Sequence, residues 1–311
     1  GRQSFITTNA IATEKYGVEL REYLIKKCDI QQLVTFDELR VFDEVDRQYL
    51  IYIVSPSLRN NDCGIIRYSE NSFEYEFTID QDEFLTYSNN SFRIDLTTED
   101  ISIKEKVDDK SIDLGRLCFV NPGIVAHSAS DSSLDFGKDD VIDEKSGEGK
   151  RKYISGGDIG RHEIQWDGKY IDYGTYEEHF HRPKFSEMFE SSKIMFGNIS
   201  GAESAVRSCY EKEGYYSNHS IVHAVQWEPE IEKRSSSMNY DSIDNADQYD
   251  QRYVAGLANS KLATYYFANF LATGTLQGSY SRVSPENIRQ LPVREMVFES
   301  PNRNNNFEVE N

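Results

Sequence analysis

Residues 182–201, RPKFSEMFESSKIMFGNISG, hold the side chains in this sequence best suited to gripping a polyanion. Arg182-Pro183-Lys184 opens the stretch with two cations. An amphipathic run follows, and then Lys193-Ile194-Met195-Phe196, which reads as a strand. Gly197-Asn198-Ile199-Ser200-Gly201 closes it, with two glycines flanking small polar residues. Lys184 and Lys193 offer ammonium groups, Asn198 an amide, Ser200 a hydroxyl, and the glycines an open backbone. Those are the groups that hold phosphates and touch base edges. The same pattern also fits a strand followed by an ordinary Gly/Asn turn, so the neighbours must decide.

Other chemistries find little support. His127, His162, His179, His181, His219 and His223 have no catalytic neighbours in sequence. His179-x-His181 could hold a metal, but an isolated pair is usually a surface feature, and no metal is expected. Cys28, Cys63, Cys118 and Cys209 form no CxxC pair, so a reduced, cytoplasmic protein without structural zinc is the simplest expectation. Asp139-Asp140 and Glu177-Glu178 read as solvated faces. There is no P-loop and no GxGxxG. Asn198-Ile199-Ser200 matches a glycosylation sequon, which is empty without secretion, and no signal peptide or membrane span is visible.

The elements that must position these residues fall into two textures. The 311 residues suffice for two domains, and 38% hydrophobic with 13% aromatic content predicts real cores. The net charge of -19 speaks against a chain that coats nucleic acid through phosphates, yet leaves room for a local basic groove. Residues 4–8 predict a strand so near the first residue that it needs a neighbour, as in a piece of something longer or one part of an assembly. Thr13 is expected to cap a helix through Lys27, with Tyr16, Leu20 and Leu24 on its apolar face. Residues 30–36 predict the next strand, giving a parallel crossover, and 49–54 a buried strand. Residues 55–62 read as a linker. Residues 73–77 alternate as a half-exposed strand does.

Beyond Leu114 the texture is β-rich, with short strands at 153–154, 170–171, 193–196 and 220–225 between glycine turns. Residues 131–152 read as a long exposed loop and 228–247 as loose. Residues 246–272 are helical, with Asn259-Ser260 interrupting and Ser260 capping a second segment. Tyr253, Leu257 and Leu262 are expected to pack these helices rather than touch a ligand.

In this order the residues resemble a known family. Ser4-Phe5-Ile6-Thr7-Thr8-Asn9, Lys15-Tyr16-Gly17, Leu20-Arg21-Glu22-Tyr23-Leu24, Val41-Phe42 and the strand at 50–54 are similar to the end of the catalytic domain of N6-adenine DNA methyltransferases, above all the type IIG, Eco57I-like restriction–modification enzymes. The remainder resembles their TaqI-like C-terminal specificity domain. The matching residues there are Leu114-Gly115, Asn121-Pro122-Gly123, Asp158-Ile159-Gly160-Arg161, Arg182-Pro183-Lys184, Lys193-Ile194, Ser200-Gly201, Gly214-Tyr215-Tyr216, Asn259-Ser260-Lys261-Leu262 and Leu291-Pro292-Val293.

The resemblance implies a mixed α/β fold: the tail end of a Rossmann-like methyltransferase sheet over residues 1–60, a connecting segment over 61–110, a β-rich target-recognition domain with C-terminal helices over 111–298, and a disordered tail over 299–311. It implies double-stranded DNA as partner and S-adenosylmethionine as methyl donor. The Asn-Pro-Pro-Tyr motif and the cofactor loop are absent from this sequence, so the donor would bind a missing N-terminal catalytic part or a separate methyltransferase chain, and this chain alone would be inactive. Arg161, Lys184, Lys193, Asn198, Ser200 and Arg282 are the expected DNA contacts, since Arg pairs bidentately with guanine and Asn with adenine. Phe42 matches the aromatic that stacks on the flipped adenine in the family, with a buried sheet-edge role as the alternative.

Overall fold

The computed structural model describes residues 1–36, 42, 48–56, 60–69, 72–94, 96–197, 206–235, 242–272 and 283–298. The first strand, β1 (Gln3–Thr8), leads through a single helical turn, α1 (Ala10–Thr13), to α2 (Val18–Lys27). Four strands follow: β2 (Asp29–Phe36), β3 (Tyr49–Ser55), β4 (Asp62–Ser69) and β5 (Ser72–Asp80). They form one five-stranded sheet in the order β1-β3-β2-β4-β5. β3 is antiparallel to both β1 and β2, so the crossover through α2 joins two co-directional strands with β3 inserted between them. β2 and β4 are parallel neighbours, and β4 and β5 an antiparallel pair.

Directly paired residues share a face of a sheet. One face carries Ile30, Leu33, Leu50, Val54, Ile65 and Phe77, all buried in the main core with Leu24 and Ile25 of α2. Ile6, Phe73 and Tyr75 lie on the other face at 43%, 64% and 63% exposure, beside half-buried Ile51, Ile53 and Ile66.

Three sequence expectations change in this half. Thr13 ends α1 instead of capping a long helix, because Glu14 is extended and a 3-10 turn, Lys15–Gly17, precedes α2. The buried stripe of α2 is Arg21, Leu24 and Ile25, while Tyr16 and Leu20 are exposed. Arg21 is buried because its guanidinium is satisfied, donating to the carbonyls of Ile11 (2.6 Å), Asn89 (2.7 Å) and Asn90 (3.1 Å). Residues beyond 60 are no linker: β4 and β5 continue the sheet, and Gln81 ties it to α2 by accepting from Ile30 N and donating to the carbonyls of Ile25 and Cys28.

The charged segment after the sheet is α3 (Thr98–Asp108), started by a capping box in which Thr97 and Asp100 each satisfy the other's backbone N–H. β6 (Ser111–Asp113) and α4 (Leu114–Leu117) lead into β7 (Cys118–Pro122) and β8 (Val125–Ser128). The region expected as an exposed loop contains α5 (Lys138–Val141), β9 (Ile142–Asp143) and the start of β10 (Lys150–Ile154), anchored by buried Phe136 and Val141. β11 (Tyr170–Asp172), α6 (Tyr173–Tyr176), β12 (Phe180–His181) and α7 (Glu187–Glu190) precede β13 (Lys193–Gly197). β14 (Arg207–Glu211), β15 (Tyr216–Ser217) and β16 (Val222–Gln226) follow. Then come α8 (Pro229–Arg234), inside the stretch read as loose and held by buried Ile231, and α9 (Gln251–Ala258) and α10 (Lys261–Tyr266). α11 (Pro285–Arg289) and β17 (Pro292–Arg294) complete the described elements.

The centre of this β-rich half is an antiparallel sheet, β14-β13-β16-β7. Its Phe119, Ile194, Phe196, Val222 and Ala224 join the main core. β17 pairs with β6, so the last strand closes on the first of this half. α3 is stitched to α10 by two phenols, Tyr265 to Asp100 and Tyr266 to Asp108, the latter at 2.6 Å. The tail after residue 298 lies outside the described residues.

Candidate nucleic-acid interface

A polar junction of the β-rich half forms where residues 155–165 meet the end of β13. Ser155 and Asp158 close a capping box. Ile159 bridges to Ile164, and Gly160 N–H donates to the Glu163 carbonyl at 3.0 Å, so the chain reverses over Arg161 and His162. His162 adopts a positive φ of 66° at this reversal. Arg161, His162 and Glu163 are all exposed. Below the turn Ile159 lies so close to β13 that a Cβ on Gly197 would stand 2.9 Å from Ile159 Cβ. Glycine at 197 is therefore a packing requirement as well as a turn signal.

Asn259, the C-cap of α9, holds the turn in place. It is 6% exposed. Its amide donates to the Ser208 carbonyl (2.7 Å), the Ala255 carbonyl (3.1 Å) and His162 Nδ1 (3.2 Å), while its Oδ1 accepts from Ser208 N at 2.9 Å. Its own carbonyl accepts from Arg161 Nη2 at 2.7 Å. His162 N–H donates to the Ser208 carbonyl at 2.9 Å. An arginine at a helix C-terminus also meets the negative end of the helix dipole. α9, β14 and the Arg161 turn are thus one hydrogen-bonded unit. The sequence marked Asn259 as a helix interruption and as part of the Asn259-Ser260-Lys261-Leu262 resemblance, but not as a site residue; an Asn at the end of a helical run followed by the Ser260 cap was the available signal. That cap is present, with Ser260 Oγ accepting from Ala263 N at 3.0 Å.

Residues 151–293 match the TaqI-like C-terminal specificity domain family. No curated protein matches the chain. Two solved structures are similar to it. One is the type IIL restriction-modification enzyme MmeI in complex with DNA, at 11% identity over 93% of this chain and 38% of that one, with a TM-score of 0.45. The other is the type IIG restriction endonuclease BpuSI, at 11% identity over 94% of this chain and 40% of that one, with a TM-score of 0.38. This chain spans about two fifths of either.

The β-rich half places the expected contacts very differently from one another. Arg161 projects by the β14 edge of the central sheet, through Ser208. Lys184 lies at the opposite edge, where its Nζ donates to Asn121 Oδ1 of β7 at 2.8 Å. Tyr173 fixes the Lys184 backbone, its phenol accepting from Lys184 N at 3.0 Å and donating to the Lys184 carbonyl. Burial, and then the charge of Arg182, pulls the Lys184 ammonium below its ordinary value. Arg182 itself is exposed with a φ of 54°.

Lys193 corrects the expectation of a solvent-facing cation. Its side chain is fully buried, paired with Glu211 and hydrogen-bonded to the Phe189 carbonyl. Glu211 in turn accepts from the N–H groups of Glu213 and Gly214, so the pair shapes the turn after β14. Desolvation pulls the Lys193 ammonium down, and the Glu211 carboxylate opposes this. Asn198, Ser200 and Arg282 lie outside the described residues.

Tyr253 and Leu262 are 43% and 50% exposed, contrary to the packing role expected of them. The reason is that α9 buries Gln251, Val254, Ala255 and Ala258, a stripe set one position off the one through Tyr253, and α10 buries Ala263 and Tyr266 instead of Leu262. No group of three or more His, Cys, Asp or Glu side chains suited to a metal occurs among the described residues. Phe42 is 45% exposed and packs edge-on against Tyr49 at 4.9 Å. Tyr49 also lines a cleft of about 200 Å³ with Asn9, Thr35, Phe36, Gln48, Arg67 and Ile94. Among the described residues no helix is long and apolar enough to cross a membrane.

Proposed function

We propose that this chain reads DNA sequence for a site-specific adenine-N6 DNA methyltransferase of a restriction–modification or phage-defence system in the cytoplasm. The observation that carries the reading is the specificity-domain match over residues 151–293, whose surface presents the Arg161 turn. Arg161 serves as the base or phosphate contact best prepared for duplex DNA, with Lys184 and the segment containing Asn198 and Ser200 as further contacts. The Rossmann-like part is the sheet β1 to β5, read as the tail of a catalytic domain. There Phe42 stacks on the flipped adenine beside the Tyr49 cleft.

S-adenosylmethionine supplies the methyl group in this reading. No residue of this chain is assigned to it, because neither the Asn-Pro-Pro-Tyr motif nor a glycine-rich cofactor loop occurs in the sequence. The donor and the transfer step belong to further catalytic sequence, and this chain alone recognises without methylating. A second reading makes the chain a non-catalytic specificity subunit that joins a separate methyltransferase chain. The exposed sheet face with Ile6, Phe73 and Tyr75 supports an added protein layer in either case.

The test is duplex binding over a salt series. Affinity that falls linearly on a logarithmic salt scale supports DNA recognition. No binding to any member of a random duplex pool at low salt sinks it. An Asn-Pro-Pro-Tyr motif in frame upstream of Gly1 favours the single-chain enzyme, and a start codon directly before Gly1 favours the separate subunit.

A further inference from the structure

We infer that Asn259 is a positioning residue for sequence reading, acting through Arg161. The inference rests on the proposed role of Arg161 as a DNA contact. An arginine that reads a base edge must present its planar fork in one orientation, and a free side chain loses that freedom only on binding. Here the restriction is built in. Arg161 Nη2 is held at 2.7 Å by the Asn259 carbonyl, and among the described residues the side chain makes no other hydrogen bond. Its remaining donors stay on an exposed side chain, available to a ligand.

The carbonyl can hold Arg161 only if the end of α9 stays fixed relative to the turn. That is the work of the Asn259 side chain. It pairs with both backbone groups of Ser208 on β14, reaches back to Ala255 in its own helix, and donates to His162 Nδ1. The amide alone fits this pattern, because it accepts from Ser208 N while its two N–H groups face the Ser208 and Ala255 carbonyls, with His162 Nδ1 sharing one of them. An aspartate lacks the donors, and a serine lacks the reach. His162 Nδ1 lies 3.2 Å from the Asn259 amide nitrogen, which orients the exposed imidazole beside Arg161.

The experiment is a double-mutant cycle on the chain, read by fluorescence anisotropy against two probes. One probe is a duplex selected from a random pool by the wild-type chain, and the other is the unselected pool. Arg161→Ala is expected to weaken the selected duplex roughly 5- to 150-fold, the span of a lost bidentate contact. Asn259→Ala is expected to weaken the same duplex while leaving affinity for the unselected pool within about twofold, and the double variant to be no weaker than Arg161→Ala within about twofold. Asn259→Asp keeps an acceptor for Ser208 N and loses the amide donors to Ser208, Ala255 and His162; it is expected to act in the same direction, so it carries the test if circular dichroism shows Asn259→Ala unfolded.

Additive losses in the cycle, or equal losses on both probes, overturn the positioning role while leaving the Arg161 contact standing. Unchanged binding by Arg161→Ala overturns the contact and this inference together.

Discussion

Lys193 and Glu211 face each other across β13 and β14 as paired neighbours, and their side chains are 0% and 2% exposed. A charge pair this deep gains little over an apolar pair, but either member left alone is costly. The remaining bonds explain why both are present. Lys193 satisfies the Phe189 carbonyl, and Glu211 the turn N–H groups at 213 and 214.

Lys193→Met is therefore expected to lower stability by about 3–5 kcal/mol, because it leaves a buried carboxylate without its cation. Urea unfolding measures this. At a temperature where the variant is folded, DNA affinity is expected to stay within about twofold of wild type, inside the additivity error for distant sites. A tenfold loss of affinity in a natively folded variant would return Lys193 to the list of DNA contacts.

His223 is fully buried in β16, with Nε2 at 2.6 Å from Ser217 Oγ and no partner for Nδ1 among the described residues. Burial, and then the charges of Lys193 and Lys184, hold its pKa well below 6.5. Phe189 meets the ring edge-on and supplies no charge. The neutral ring is thus the folded form, while the unfolded chain takes up a proton below pH 6.5. Stability from this group is complete above pH 6.5 and is lost as pH falls toward the folded value. The slope is up to about 1.4 kcal/mol per pH unit. His223→Gln should flatten the pH dependence of unfolding between pH 6.5 and 5 relative to wild type, and parallel curves for the two proteins would reject the assignment.

These two side chains show which parts of the molecule the sequence discloses. The strands expected at 193–196 and 220–225 are found at 193–197 and 222–226, and were legible because short apolar runs bounded by polar and turn residues leave few alternatives. The Ser260 cap was legible because capping is local. The burial of Lys193 was not, since its counter-ion is 18 residues away on the next strand. Arg21 misled for the same reason: its acceptors at 89 and 90 come from another segment, so an apolar stripe through Tyr16 and Leu20 looked better than the true one. Asn259 joins three elements that adjoin only in the fold. Proline and polar residues at 55–62 resembled a linker because a strand connection and a domain linker share composition.

Tyr266 reaches from α10 to Asp108 at the end of α3, and Lys104 of the same helix meets that carboxylate at 2.7 Å. Burial pushes the Tyr266 phenol well above its ordinary pKa, so it stays a donor at any working pH. Tyr266→Phe removes one charge-assisted bond and leaves the ring in place. The expected cost is about 1.5 kcal/mol, the low end of the range because Asp108 is partly exposed. The urea midpoint should fall with an unchanged slope. A cost below about 0.5 kcal/mol would show that this contact does not join the two halves.

Phe42 offers the sharpest test of the sheet's proposed catalytic descent. It stands exposed with its edge on Tyr49, and Tyr49 lines the cleft shared with Phe36 and Arg67. A ring that is 45% exposed and, among the described residues, packs edge-on against Tyr49 can take a base on its face, and such stacking contributes about 1–3 kcal/mol per base. A core residue in the same place would instead lose stability on truncation, by about 3–5 kcal/mol for a buried phenylalanine. In the proposed methyltransferase, Phe42→Ala is expected to reduce single-turnover methyl transfer by roughly 5- to 150-fold, the stacking energy expressed as a rate. Duplex affinity should fall less, because most contacts with unflipped DNA remain. Equal loss of turnover and affinity, accompanied by a lower unfolding midpoint, would make Phe42 a packing residue.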